Sequence, residues 1–163
     1  KTAYEIPKRD WSSDVCSSDL LVMLAGVFAP AAARAANCSV STTPVSFGGY
    51  NVFTASPLDS LGAVIYNCNG GAKTIAITIS GGSGGGFSPR KLMKAGEWLG
   101  YNLYRDPSRT VIWGNGTGGT SVYIDNDIPN KTDISVPVFG RVPAGQDVTA
   151  GAYGDTVSVV INF

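Results

Sequence analysis

Apolar residues in this chain recur at every second position, in short runs set between clusters of Gly, Pro, Asn and Asp. The clearest run spans residues 73–80, where Ile75, Ile77 and Ile79 share one face against Thr74, Ala76, Thr78 and Ser80. A period of two marks a strand with one face on a core. Residues 156–163 repeat the pattern: Val157, Val159, Ile161 and Phe163 alternate with Ser158 and Asn162, and Val160 is the exception. Residues 61–68, 99–104, 110–113, 121–124 and 134–142 read as further strands. Residues 38–47 read as a first strand interrupted at Thr43-Pro44. Pro137 points to an edge position or a bulge, and Arg90-Lys91 to a short edge strand blunted by charge. Together these predict one all-β domain. A buried strand needs hydrogen-bond partners on both edges. Nothing in this sequence follows residue 163, so the expectation is that its second neighbour comes from another molecule.

Composition narrows function by exclusion. The chain has 163 residues, no histidine, and 12 basic against 12 acidic side chains. Without histidine there is no Ser-His or Cys-His nucleophile pair, and the commonest ligand of catalytic zinc is missing. The acids from residue 59 onward are scattered singly, mostly in turns, which speaks against a glycosidase pair. Asp125-Asn126-Asp127 lacks the remaining ligands of a calcium loop. Zero net charge gives no footprint for nucleic acid. Residues 81–86 (GGSGGG) lack the lysine and helix start of a phosphate cradle and read as a linker. The expectation is a non-enzyme with no cofactor and no metal.

The N-terminus divides in two. Residues 1–20 resemble a one-frame translation of a short-read sequencing adaptor and are set aside from the fold. Residues 21–35 are apolar and Ala-rich and end in Ala33-Arg34-Ala35. They read as the remnant of a secretory signal peptide cleaved between Ala35 and Ala36. Four basic and four acidic side chains precede Ala36, which leaves residues 36–163 with eight of each. Cys38 and Cys68 are the two cysteines of that segment, and an even count in an exported chain reads as a disulfide. In the loop-closure picture it removes roughly 3–4 kcal/mol of unfolded-chain entropy.

Several short motifs run in order along residues 36–163. They are Cys38-Ser39-Val40 with Phe47-Gly48-Gly49-Tyr50; Ser56-Pro57-Leu58-Asp59-Ser60 before Cys68; Tyr101-Asn102-Leu103-Tyr104; Trp113-Gly114-Asn115-Gly116-Thr117; residues 140–146 (GRVPAGQ); and residues 151–157 (GAYGDTV). In this order and spacing the chain resembles the spore coat U domain family, the pilin subunits of archaic chaperone–usher pili. The resemblance implies an incomplete immunoglobulin-like β-sandwich with six strands of its own and a seventh supplied in trans. It implies a periplasmic chaperone, an outer-membrane usher and neighbouring pilin subunits as partners, with export to the cell surface. It places Val157, Val159, Ile161 and Phe163 on one side of an apolar groove and Val40 and Val45 on the other. It also has the cysteine pair pin the first strand to the second.

One departure shapes the expectation. Subunits that polymerise carry a donor strand before the first cysteine, and only Ala36 and Asn37 precede Cys38 after the expected cleavage. That points to a tip-side subunit touching a host or abiotic surface. Phe53, Phe87 and Trp98 are the loop aromatics that could make such contact, although loop aromatics usually fold back onto the core. The alternative function is a secreted monomeric β-sandwich that binds carbohydrate.

Overall fold

The computed structural model describes residues 36–163. The adaptor-like segment, the signal remnant and Ala35 of the expected cleavage site lie outside the described residues. Eight strands run β1 (Asn37–Thr43), β2 (Leu58–Asn69), β3 (Ile75–Ile79), β4 (Arg90–Lys94), β5 (Glu97–Tyr104), β6 (Tyr123–Asp125), β7 (Ile134–Val142) and β8 (Val159–Asn162). A five-stranded sheet, β1-β2-β7-β5-β4, faces a three-stranded one, β6-β3-β8, and every pairing is antiparallel. The architecture is an all-β sandwich, incomplete on one side.

Inward residues follow the period of two. Ile75, Ile77 and Ile79 of β3 are buried against Val64 and Tyr66 of β2, Leu99, Tyr101 and Leu103 of β5, and Val136, Val138 and Val142 of β7. Trp113 is fully buried, and its indole Nε1 donates to Ile77 O at 2.9 Å. Cys38 and Cys68 stand directly opposite in the β1–β2 register and form the disulfide, with S–S 2.08 Å. The bond therefore ties β1 to β2, as the family resemblance implied.

Three segments differ from the sequence expectation. Residues 110–113 make only isolated bridges, Tyr104 to Ile112 and Trp113 to Ser121. The Asp106 carboxylate accepts from Thr110 N at 3.0 Å and Val111 N at 2.7 Å, so the loop's own side chain takes those N–H groups out of any ladder. Residues 44–47 leave the sheet, because Pro44 has no N–H to donate. Pro137 lies on an interior strand, yet the β5–β7 ladder stops at Phe139, so at Pro137 only β2 is paired. The edge expected there is local. The resemblance implied six strands and eight form; β4, β5 and β6 fall where the residue pattern had marked strands, at Arg90-Lys91, 99–104 and 121–124.

One buried charge organises an end of the sandwich. Arg90 is fully buried; its Nε donates to Ser80 O at 3.0 Å, one terminal nitrogen to Asn102 Oδ1 at 2.8 Å and the other to Trp113 O at 2.7 Å. Burial pushes the guanidinium below its ordinary value, against the opposing pull of Tyr101 and Asp155. Replacing it takes a donor from three acceptors, of which only Asn102 Oδ1 keeps another among the described residues, Leu103 N at 3.1 Å. Arg90→Met should destabilise the domain by about 3–5 kcal/mol, read as a lower urea midpoint at unchanged slope.

Candidate functional site

Each sheet ends in a strand paired on one side only, and the two face each other across the same opening. β1 is bonded only to β2, and β8 only to β3, among the described residues. On β8, Ser80 N donates to Ser158 O at 2.9 Å while Ile79 N turns away to Gly114 O at 3.3 Å. The alternation of an antiparallel ladder then directs the N–H and C=O of Val159 and Ile161 away from β3, toward the free edge. The half-buried and exposed residues from 157 to 161 alternate as the sequence pattern requires, with Val160 pointing outward and 50% exposed. The strand itself starts at Val159 rather than at Thr156.

After β1 the chain crosses the inner face of the five-stranded sheet. Two glycines on that face make room for it. A Cβ on Gly62 would lie 2.7 Å from Val45 Cγ2, and a Cβ on Gly140 would lie 2.5 Å from Val45 Cγ1 and 2.8 Å from Phe47 Cζ. Phe47 then meets the Tyr101 ring edge-on at 5.8 Å between centroids. Between this crossing segment and the 155–159 stretch lies a groove of about 270 Å³. Val45 and Phe47 form one wall, Val157 and Val159 the other, and Val64, Leu103 and Val138 lie among the lining residues between them. It adjoins a cavity of about 990 Å³ under the loops 44–52 and 148–155, and the two share Pro44, Val45, Phe47, Leu92 and Asp155.

Asp155 is the charged group at that junction. Its Oδ1 accepts from Ser83 N at 2.7 Å and Thr156 N at 2.8 Å, and its Oδ2 from the Tyr101 hydroxyl at 2.7 Å. Burial, then the Asp155 contact, pushes the Tyr101 phenol well above its ordinary range, so it stays a donor. The carboxylate thus latches the glycine-rich loop to the start of the last strand. Gly82, at φ +73°, is required at the latch, since a Cβ there would sit 2.0 Å from Asp155 Oδ2. The GGSGGG run is a fitted loop more than a free linker.

The sequence-derived groove residues divide. Val45, Val157 and Val159 come together in the groove lining. Ile161 continues along β8 opposite Ile77. Val40, 38% exposed opposite Tyr66, and Phe163, 58% exposed, lie outside the lining. Gly62, Gly140, Phe47 and Asp155 were missed; a glycine inside an otherwise strong strand pattern signals close backbone approach and could have found the first two. The three aromatics expected in loops behave unequally, and Trp98 lies on β5 rather than in a loop. Phe87 lies half-buried with the Arg90 guanidinium 5.2 Å from its ring. Phe53 is 94% exposed and Trp98 45%, so neither folds back fully onto the core.

Chemically, the site offers apolar walls and two rows of open backbone donors and acceptors. It can hold an extended strand. The family model described as Spore Coat Protein U domain matches residues 24–160. Protein U of Myxococcus xanthus is 39% identical over 67 residues, which are 41% of this chain and 35% of that protein, so the chain spans about a third of its length. The fold is similar, at TM-score 0.55 and 20% identity over 79% of this chain and 40% of the other, to a chain in the crystal structure of the CsuC-CsuE chaperone–tip adhesion subunit pre-assembly complex from the archaic chaperone-usher Csu pili of Acinetobacter baumannii. With the family pattern matched across the whole sandwich, the chain belongs to the Spore Coat Protein U domain family.

Proposed function

We propose that the protein is a structural, adhesive subunit of a chaperone–usher surface pilus, working by acceptance of a strand. A periplasmic chaperone fills the groove first, an outer-membrane usher receives the complex, and the strand of a neighbouring pilin subunit then replaces the chaperone's. The observation that carries this is the pair of one-sided strands, β1 and β8, flanking a groove walled by Val45, Val157 and Val159. Main-chain hydrogen bonding at an open edge supplies affinity, and alternate side-chain pockets supply selectivity. Family membership and the fold shared with the Csu pilus complex support the reading. The disulfide suits an oxidising compartment, in keeping with export and a mature domain of 36–163. Its place along the pilus turns on whether a donor strand precedes Cys38 in the mature protein, which mass spectrometry of the mature N-terminus reads.

The test is periplasmic co-expression with a pilus chaperone. The wild-type chain should co-purify as a one-to-one complex. Val159→Asp places an unpaired charge in the groove wall and should abolish the complex. A wild-type chain that purifies alone as a stable monomer and ignores the chaperone would sink the proposal.

A further inference from the structure

A second cleft lies apart from the groove, between the free side of β5 and the segment that follows β7. It encloses about 560 Å³ and is lined by Glu97, Trp98, Gln146, Asp147, Val148 and Thr149. None of these residues lines the groove itself, while Val148 and Thr149 also line the 990 Å³ cavity beside it. Its floor is built by an unusual substitution for a strand. Past Asn102 no strand pairs with this side of β5. The Gln146 side chain takes that place at Gly100: Gly100 N donates to Gln146 Oε1 at 2.7 Å, and Gln146 Nε2 donates to Gly100 O at 2.9 Å.

Two residues along, the same period of two turns the backbone of Trp98 toward the same side. On the other side Trp98 stands opposite Met93, whose N–H and C=O are both taken by Gly154. The N–H and C=O of Trp98 therefore open into the cleft, and no protein group among the described residues takes them. The Asp147 carboxylate beside them is exposed and takes no hydrogen bond or ion pair among the described residues. Glu97 uses only Oε2, accepting from the hydroxyls of Thr149 at 2.5 Å and Tyr153 at 2.7 Å, which leaves Oε1 free. The Trp98 indole carries the Lys91 ammonium 4.8 Å from its ring and still keeps the residue 45% exposed.

We propose that this cleft is a binding site for a neutral saccharide. An indole offers its face to the C–H side of a sugar ring. A backbone donor and acceptor side by side, with carboxylate oxygens at the rim, match hydroxyls that both accept and donate. Glu97 and Asp147 are balanced by Lys94, 3.9 Å from Glu97 Oε2, and by Lys91 on the Trp98 ring, so the rim carries no net charge and both ammonium groups are already engaged rather than free to pair with an acidic sugar. Such sites are concave, with a few polar groups that fix orientation.

The test is calorimetric and NMR titration of the full chain with cellotetraose, N-acetylchitotetraose, tri-galacturonic acid and an uncharged serine–valine tetrapeptide. A neutral oligosaccharide should bind and shift the Trp98 amide and indole signals, while the acidic sugar should not. Trp98→Ala should weaken binding by about tenfold or more, and Trp98→Phe, which keeps a ring, should hold most of it. An unshifted signal from the buried Trp113 indole reports that each variant is folded. The proposal is overturned if neither neutral sugar binds, if binding survives Trp98→Ala, or if the tetrapeptide is the preferred ligand.

Discussion

A ten-residue strand of alternating Val and Thr, appended after Phe163 through an Asn-Gly turn, should raise the thermal midpoint of this domain by about 10 °C or more. Asn-Gly favours the tight hairpin that returns a strand antiparallel to the one before it, here along the open edge of β8. At about 3.3 Å per residue the insert is roughly 33 Å long, ample for the groove. Its inward valines would meet Val157, Val159 and Val45. Each apolar side chain moved from water into such a site contributes about 1.5–3 kcal/mol. Ordering a residue costs about 1–2 kcal/mol, so the gain must come from the inward positions and from the backbone bonds closed at Val159 and Ile161. A net of about 3 kcal/mol is enough for the shift stated. A control insert of equal composition with its valines in one block should give no shift. Equal midpoints for both inserts would count against an open groove, as would Val159 and Ile161 amides already protected from hydrogen exchange in the unmodified chain.

Gly140→Val should be the most damaging single substitution of a small residue in the domain. Gly140 sits on the inward face of β7, paired with Ser60 of β2, with Leu103 of β5 on its other side. Even a methyl group would stand 2.5 Å from Val45 Cγ1 and 2.8 Å from Phe47 Cζ. The sheet cannot retreat, since it is bonded on both sides here, so the crossing segment must lift. Overpacking of this kind costs about 1–3 kcal/mol or more, and displacing Phe47 from Tyr101 adds to it. The consequence reaches function, because Val45 and Phe47 are one wall of the groove. Gly140→Val should therefore lower stability by about 3 kcal/mol or more in denaturant titration. It should also cut chaperone capture. Adding Val45→Ala should recover part of the loss, and a double-mutant cycle showing strict additivity would refute the contact.

These two expectations rest on features of unequal legibility. The all-β class, the alternating faces of β3 and β8, and the tie between Cys38 and Cys68 were all readable from residue order. Each depends on side-chain period or on a count of two cysteines. The incomplete sandwich was implied by the family motifs, and the fold agrees. Val40 and Phe163, which the resemblance implied for the groove, lie outside the lining seen here. A period of two tells which face a residue occupies but not where along the strand the groove runs.

Residue order by itself determined most of the strands, their inward faces and the family pattern, because these are local periodicities written along the chain; 44–47 and 110–113 are the exceptions. The tertiary structure alone decided that residues 44–47 leave the β1 edge to cross over Gly62 and Gly140. It alone showed that Asp155 latches the glycine-rich loop, and that Arg90 is buried among acceptors without a carboxylate. Those arrangements join residues dozens of positions apart. They arise from space left between two sheets, a quantity no single stretch of sequence contains.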